Sequence, residues 1–221
     1  MKISELYDLS HTRAAGYLSG FEYPWEALDG IKDLILAIGA TLPEDEYDHP
    51  EDGVWIAKDA KVFPSAYIGA PCIIDHGTEV RHCAFIRGTA LIGRDCVIGN
   101  STELKNVIIF DHTQVPHYNY VGDSILGYHS HMGAGSITSN VKSDSLPVVI
   151  KYPDGSEIAT GRKKVGAMLG DWADIGCNSV LCPGSVIGRR SRVYPLSRVR
   201  GVVPADRIFK DPGHVVVKED R

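Results

Sequence analysis

Residues 54–104, VWIAKDAKVFPSAYIGAPCIIDHGTEVRHCAFIRGTALIGRDCVIGNSTEL, place Ile56, Val62, Ile68, Ile74, Val80, Ile86, Ile92, Ile98 and Leu104 at intervals of six without a gap. Two residues before each lies a smaller side chain: Val54, Ala60, Ala66, Cys72, Thr78, Ala84, Ala90, Cys96 and Thr102. The same two columns return as Leu169, Ile175, Leu181, Ile187, Val193 and Val199, preceded by Ala167, Ala173, Ser179, Ser185, Ser191 and Ser197. A helix would carry a six-residue repeat off any one face, and two-fold alternation does not require a small residue two places earlier. A short strand followed by a tight corner meets both conditions, with the large aliphatic inside and the small residue where the chain turns near the axis. Glycines such as Gly69, Gly93, Gly99, Gly170, Gly176 and Gly188 then relieve the corners. Three such units make one triangular coil of 18 residues, and coils stack at roughly the 4.8 Å spacing of neighbouring strands.

This pattern predicts an all-β chain, a parallel β-helix over residues 51–203, and it resembles the hexapeptide-repeat proteins, whose helix is left-handed. Left-handedness is what the resemblance implies, because parallel crossovers are otherwise almost always right-handed. Ahead of the coils, YPWEALDGIKDLILAIGATLP reads as one amphipathic helix with Pro24 at its first position and Leu28, Ile31, Leu34, Ile35 and Ile38 on one face. Residues 1–50 are therefore expected to form a helical cap with an acidic linker, PEDEYDHPEDG, the helix plugging the open end of the coil. Residues 204–221 read as a short helix and a strand, a second cap or an extension to a neighbour. VKSDSLPVVIKYPDGSEIATGRKKVGAM interrupts the coil at about 142–166 and reads as a hairpin around a Pro-Asp-Gly turn.

The 221 residues are 43% hydrophobic, enough for one sizeable core, and 23 glycines and 12 prolines favour turns over long helices. A formal net charge of −5 with no basic tract argues against nucleic acid as a partner. Five cysteines without a C-x-x-C pair, no leader-like N-terminus and no run of roughly 20 apolar residues lead us to expect free thiols in a cytoplasmic protein, with no membrane segment.

The repeat loses time in one place. After Leu104 the interior column falls on Ile109, Val115 and Val121, then on Leu126, Met132 and Thr138, so two steps have five residues instead of six. Between the two lies VPHYNY, which suggests a chain re-aimed beside a functional site. Arg87 and Lys105 each follow an interior aliphatic and are 18 residues apart, so an 18-residue coil stacks them. Two cations at that spacing repel unless an anion such as phosphate lies between them, or unless they splay into solvent or pair with Glu103.

GNSTELKN, VPHYNYVGDS and GAGSITSN resemble the acetyltransferase domain of bifunctional glucosamine-1-phosphate acetyltransferase/N-acetylglucosamine-1-phosphate uridylyltransferase, over roughly 115 of the 221 residues. The resemblance implies a cytoplasmic homotrimer that transfers an acetyl group from acetyl-CoA to the amine of a sugar phosphate or nucleotide sugar, with no metal required. It implies sugar-phosphate binding by Arg87 and Lys105, general-base catalysis by His117 and a sugar contact by Tyr120. His131 replaces a family asparagine, which extends the expected substrate residues to it. Ala134 and Asn140 match the coenzyme site, and Cys177 stands where the family has serine. Val141 replaces an aromatic, Pro195 an alanine and Pro212 a basic residue, for which Lys210 is the nearest substitute. Of the arm, Arg162, Lys163 or Lys164 either reaches a phosphate, Lys164 serving the coenzyme, or the arm braces a neighbour. Histidine suits the chemistry on its own terms, since aminolysis of a thioester needs a base that titrates near neutral pH. Glycines in MGAGS let a carbonyl approach backbone N–H donors. Two other functions fit less closely: a sugar-phosphate-binding module without chemistry, and a metal-dependent carbonic anhydrase of the γ class using His112, His117, His129 or His131. No glycine-rich nucleotidyl-transfer loop is present.

Overall fold

A computed structural model of the chain describes residues 1–219. From Val54 to Val203 the chain winds as a left-handed parallel β-helix whose coils present three walls. Register follows the repeat: Val54 pairs with Cys72 and Cys72 with Ala90 on the first wall, Lys61 with Glu79 on the second, and Tyr67 with Phe85 on the third. Each step is 18 residues. The large column is sealed inside, from Ile74 and Val80 through Ile98, Val115 and Leu169 to Val199, all fully buried. The small column does a second job at the corners, where hydroxyls take up carbonyls that the turn leaves open: Thr78 Oγ1 donates to Gly93 O at 2.7 Å, and Thr113 Oγ1 to Gly127 O at 2.8 Å.

The two five-residue steps both fall where the third wall turns into the first. Glu103–Ile109 and Tyr120–Leu126 each run as one seven-residue strand through that corner, and they pair with each other at an offset of 17, Glu103 on Tyr120 and Ile109 on Leu126. The missing residue is taken from the turns at Asn106 and Asp123, both in the left-handed region with φ of 55° and 49°. It is not taken at His117, which lies on a different corner.

Outside the coil, the first wall carries an unbroken apolar ladder: Trp55, Ile73, Leu91, Ile108, Ile125, Met168, Val186 and Val202, each paired with the next. The N-terminal segment lies along this wall rather than plugging the open end. Leu6, Leu18, Trp25, Leu28, Ile31 and Ile35 are buried against it, joined by Val148, Ile150 and Val165 of the arm. The single helix expected there is broken at Gly30 into a 3₁₀ turn, Pro24–Gly30, and a helix, Ile31–Gly39, with further short helices at Ile3–Leu6 and Ala15–Leu18. Two backbone bonds stitch it to the corner between first and second walls: Asp111 N donates to His11 O and Asp171 N to Leu6 O, at 3.1 and 2.9 Å. The arm is the expected hairpin, Val149–Lys151 antiparallel to Glu157–Ala159. The C-terminal segment is also a hairpin, Arg207–Asp211 with His214–Val217, and the expected short helix is replaced by the strand that continues the second wall.

Candidate functional site

Arg87 and Lys105 sit one above the other at the end of the third wall: Ile86 pairs with Leu104, and Arg87 N donates to Leu104 O at 2.9 Å. Neither is a bare cation. Arg87 Nη1 donates to Glu103 Oε1 at 2.9 Å, and Lys105 Nζ donates to both oxygens of Asp123 at 3.1 and 3.3 Å. Glu103 shares a rung with Tyr120, whose hydroxyl accepts from Asn140 Nδ2 at 3.3 Å. Burial, then the nearby carboxylates of Asp123 and Glu103, raise the Tyr120 phenol above its ordinary value, so it remains a neutral donor. Asp123 is 4% exposed and also accepts from Asn106 and Asn140. The corner is thus a bounded polar surface of two cations, two carboxylates, a phenol and two amides.

His117 occupies the other end of the third wall, where the second wall turns into it. Its ring is exposed and its backbone is fixed: His117 N donates to Asn119 Oδ1 at 3.0 Å, and buried Asn119 Nδ2 donates to Gly133 O and Ser136 O at 2.8 and 3.0 Å. Above it the coils stack Ala134, Cys177 and Pro195 on the same corner. Gly135 N donates to His117 O, Asn178 N to Ala134 O, and Leu196 N to Cys177 O, at 2.9, 2.8 and 2.9 Å. His117 therefore begins a column that runs along the coil axis through Ala134 and the exposed thiol of Cys177. Gly133 and Gly135 N–H groups are spent on the carbonyls of Ile175 and His117. Ala134 N–H shows no backbone partner among the described residues.

The expected site residues thus divide. Arg87, Lys105 and Tyr120 come together, and His117, Ala134 and Cys177 come together at the opposite edge of the same wall. Asn140, expected with the coenzyme, is bonded instead to Tyr120 and Asp123 in the cationic corner. Lys164 also leaves the coenzyme edge, because it bridges Val141 at the base of the arm. His131, expected at the substrate, lies on the second wall with Nδ1 3.0 Å from Asp174 Oδ1, an interaction that, with Arg192 and Lys218 nearby, holds the Asp174 carboxyl below its usual range. Arg162 is paired with Asp29 of the N-terminal segment and does not reach the corner. The histidines that invited a metal do not converge: His112 and His129 stack on the corner between first and second walls. Among the described residues no group of three or more His, Cys, Asp or Glu side chains is placed to hold a metal ion.

Three residues escaped the sequence reading. Asp123 and Asn106 organise Lys105, and the signal was available, since both lie on the five-residue steps themselves. Asn119 fixes His117, and the cue there is an amide in an interior position that elsewhere takes Ala, Ser, Thr, Cys or Val.

Comparisons place this geometry among relatives. Residues 68–150 match the model of the GMPPB C-terminal domain. The chain is 30% identical over 199 residues to a bifunctional sugar-1-phosphate nucleotidylyltransferase/acetyltransferase of Sulfurisphaera tokodaii, covering 88% of this chain and 49% of that one. It is 28% identical over 224 residues to the bifunctional protein GlmU of Methanococcus aeolicus, covering 93% and 50%. The chain spans about half the length of these curated relatives. A solved N-acyltransferase from Bacillus cereus, in complex with dTDP-4-amino-4,6-dideoxyglucose and coenzyme A, matches with a TM-score of 0.39 and 15% identity over 80% of this chain and 91% of that one. The chain has the fold of a hexapeptide-repeat left-handed β-helix and is similar in sequence to about half the length of bifunctional nucleotidylyltransferase/acetyltransferases.

Proposed function

We propose that this chain is an acetyl-CoA-dependent N-acetyltransferase acting on the amine of a sugar phosphate or nucleotide sugar. The observation that carries the reading is the third wall itself, with stacked Arg87 and Lys105 at one end, Tyr120 between, and exposed His117 at the other. A sugar phosphate lies along it with its phosphate toward the two cations, in charge-assisted bonds, and its ring across Tyr120. Its amine then points to His117.

In solution that amine carries a proton and cannot attack. One proton leaves the ammonium for solvent before attack, and the His117 imidazole takes the second from the nitrogen as it bonds to carbon. Acetyl-CoA, when bound along the column of Ala134 and Cys177, supplies the thioester carbon that the amine attacks. A nitrogen–carbon bond forms and a carbon–sulfur bond breaks. Ala134 N–H is the donor offered to the developing oxyanion, and the imidazolium of His117 returns the proton to the departing thiolate.

A single chain leaves both edges of the third wall open, and its own N-terminal segment already covers the first. A homotrimer would close the third wall of one protomer with a neighbour, placing the sites between coils. The chain's share in the activity of its longer relatives is tested by thiol release from acetyl-CoA against glucosamine-1-phosphate and a panel of amino sugars and nucleotide amino sugars. Turnover with a phosphorylated acceptor is expected. Calorimetric binding of sugar phosphate without coenzyme binding or turnover would leave a binding module in its place.

A further inference from the structure

The corner between first and second walls carries a ladder of flat rings. His112 and His129 stack with centroids 4.8 Å apart at 8°, and His129 and Trp172 at 4.0 Å and 14°. The ladder ends at Trp172, which is 51% exposed and adopts φ of 63°, a left-handed conformation that a bulky side chain takes only at a cost. On this column the other coils use Gly77, Asp95 and Asp206, so indole is not what the turn itself asks for. The next coil carries Arg190, whose guanidinium is turned toward Asp206 at 2.7 Å.

In front of the ladder's end lies a cavity of about 420 Å³ lined by His129, Trp172, Asp174, Arg190, Arg192 and Lys218. The C-terminal hairpin brings Lys218 there, its Nζ donating to Arg190 O at 3.1 Å. Arg190 is neutralised by Asp206, which leaves Arg192 and Lys218 facing one carboxylate among the described residues, and Asp174 is shared between His131 and Arg192, at 3.0 and 3.7 Å. Flat aromatic surface beside excess positive charge is the chemistry that receives a nucleobase with its phosphates.

We propose that this cavity binds a nucleotide, the base against His129 and Trp172 and the phosphates toward Arg192 and Lys218. Asp174 opens the strand Asp174–Ile175 and Cys177 follows it two residues on, so the cavity lies across the second wall from the column of His117, about 10 Å away at an extended rise. The shared chemistry therefore has two sources, a free nucleotide and the nucleotide end of coenzyme A. The site does not depend on acyl transfer.

ADP, UDP and coenzyme A are titrated into the full chain by calorimetry, with indole fluorescence as a second readout, since Trp25 and Trp55 are buried and Trp172 dominates quenching. Saturable binding with quenching is expected, weakened about tenfold or more by Trp172→Ala and by Arg192→Glu. Lys218→Glu, on the surface hairpin, weakens it without touching the coil, which guards against a misfolded Trp172 variant. Binding of ADP or UDP assigns a free nucleotide, whereas binding of coenzyme A alone, still weakened by these variants, assigns the coenzyme's own nucleotide. Absence of binding by all three ligands, or binding that none of the variants moves, overturns the site. Thiol release measured alongside separates the two ideas: lost turnover with intact nucleotide binding sinks the transferase reading alone, and the converse sinks this site alone.

Discussion

Lys105 Nζ lies 3.1 and 3.3 Å from the two carboxylate oxygens of Asp123, a residue the chain buries where the repeat drops a residue. The pairing holds a long, flexible cation at one spot on the third wall, beside Tyr120 and one coil from Arg87. An acceptor phosphate arriving there meets an ammonium already ordered. Lys105→Met removes a charge-assisted contact, and we expect the KM for a phosphorylated acceptor to rise about 10- to 100-fold with a smaller change in kcat. An unphosphorylated amino sugar should respond much less. Steady-state kinetics on the two acceptors checks this, and equal effects on both would remove phosphate recognition from Lys105.

His117 is the imidazole one coil below Ala134 on the column that leads to Cys177. His117→Asn keeps a polar side chain on a backbone still fixed by Asn119, so the fold should persist. A lost general base lowers kcat by about 10² to 10⁴. Acceptor affinity by calorimetry should stay near that of the native chain, and a variant retaining full kcat would displace His117 from proton transfer.

The ring ladder makes stability depend on pH. Burial, then the positive fields of His112 and His11, lower the His129 pKa below its ordinary value of 6.5. The unfolded chain takes its proton near pH 6.5 and the folded chain only at lower pH, so the unfolded state binds more protons in between. Stability contributed by neutral His129 is present above pH 6.5 and lost as pH falls through the folded value. Thermal unfolding from pH 7.5 to 5 should show a declining melting temperature, and His129→Phe should flatten that decline. A slope unchanged by the variant would assign the loss to other groups.

At the same corner Asp75 clamps the N-terminal segment. It is 1% exposed and accepts from Arg13 Nη2 at 3.1 Å, from Arg13 Nε, and from Tyr47 Oη. Burial alone would raise its pKa, yet the hydrogen bonds from Arg13, Tyr47 and His76 outweigh burial and hold the carboxyl below its ordinary value of 3.8. That stability is present above pH 3.8 and lost as pH falls through the folded value. Asp75→Asn leaves Arg13 without its charge partner. With Arg13 29% exposed, we expect a loss of about 2 kcal/mol, short of a fully buried pair, read by urea unfolding at neutral pH.

How much of this was legible follows from which physical effects repeat. The inner column reads directly because each coil buries the same kind of side chain, and stacked Arg87 and Lys105 follow from the same arithmetic. The covered wall was legible too, though only in every third unit, where the residue before the inner aliphatic is Trp55, Ile73, Leu91, Ile108 and Ile125 in succession. Looking outward as well as inward would have laid the N-terminal segment along that wall. Glu103 was legible as a partner for Arg87, whereas the pairing of Lys105 with Asp123 depends on the turn after a 17-residue coil has set Lys105 opposite Gly122. The position of Asn140 beside Tyr120 and Asp123 was not legible either, since motif order says nothing about which edge of a wall a corner residue faces.

Gly99 offers a final test of how tightly the coil governs His117. It lies beneath Pro116, with Ile98 paired to Val115 and Asn100 to His117 on either side. A methyl group added at Gly99 would sit 1.5 Å from Pro116 O, a backbone atom that cannot swing aside. Gly99→Ala must therefore lift the strand that carries His117. Overpacking of this kind costs about 1–3 kcal/mol, or roughly 2–4 °C in melting temperature per kcal/mol for a chain of this size. Arg87 and Lys105, at the far edge of the wall, keep their own rungs. Acceptor binding should thus fall less than kcat, and the catalytic defect should persist at temperatures where circular dichroism shows the variant folded. A folded variant with unaltered kcat would show that the rung beneath Pro116 does not position the imidazole.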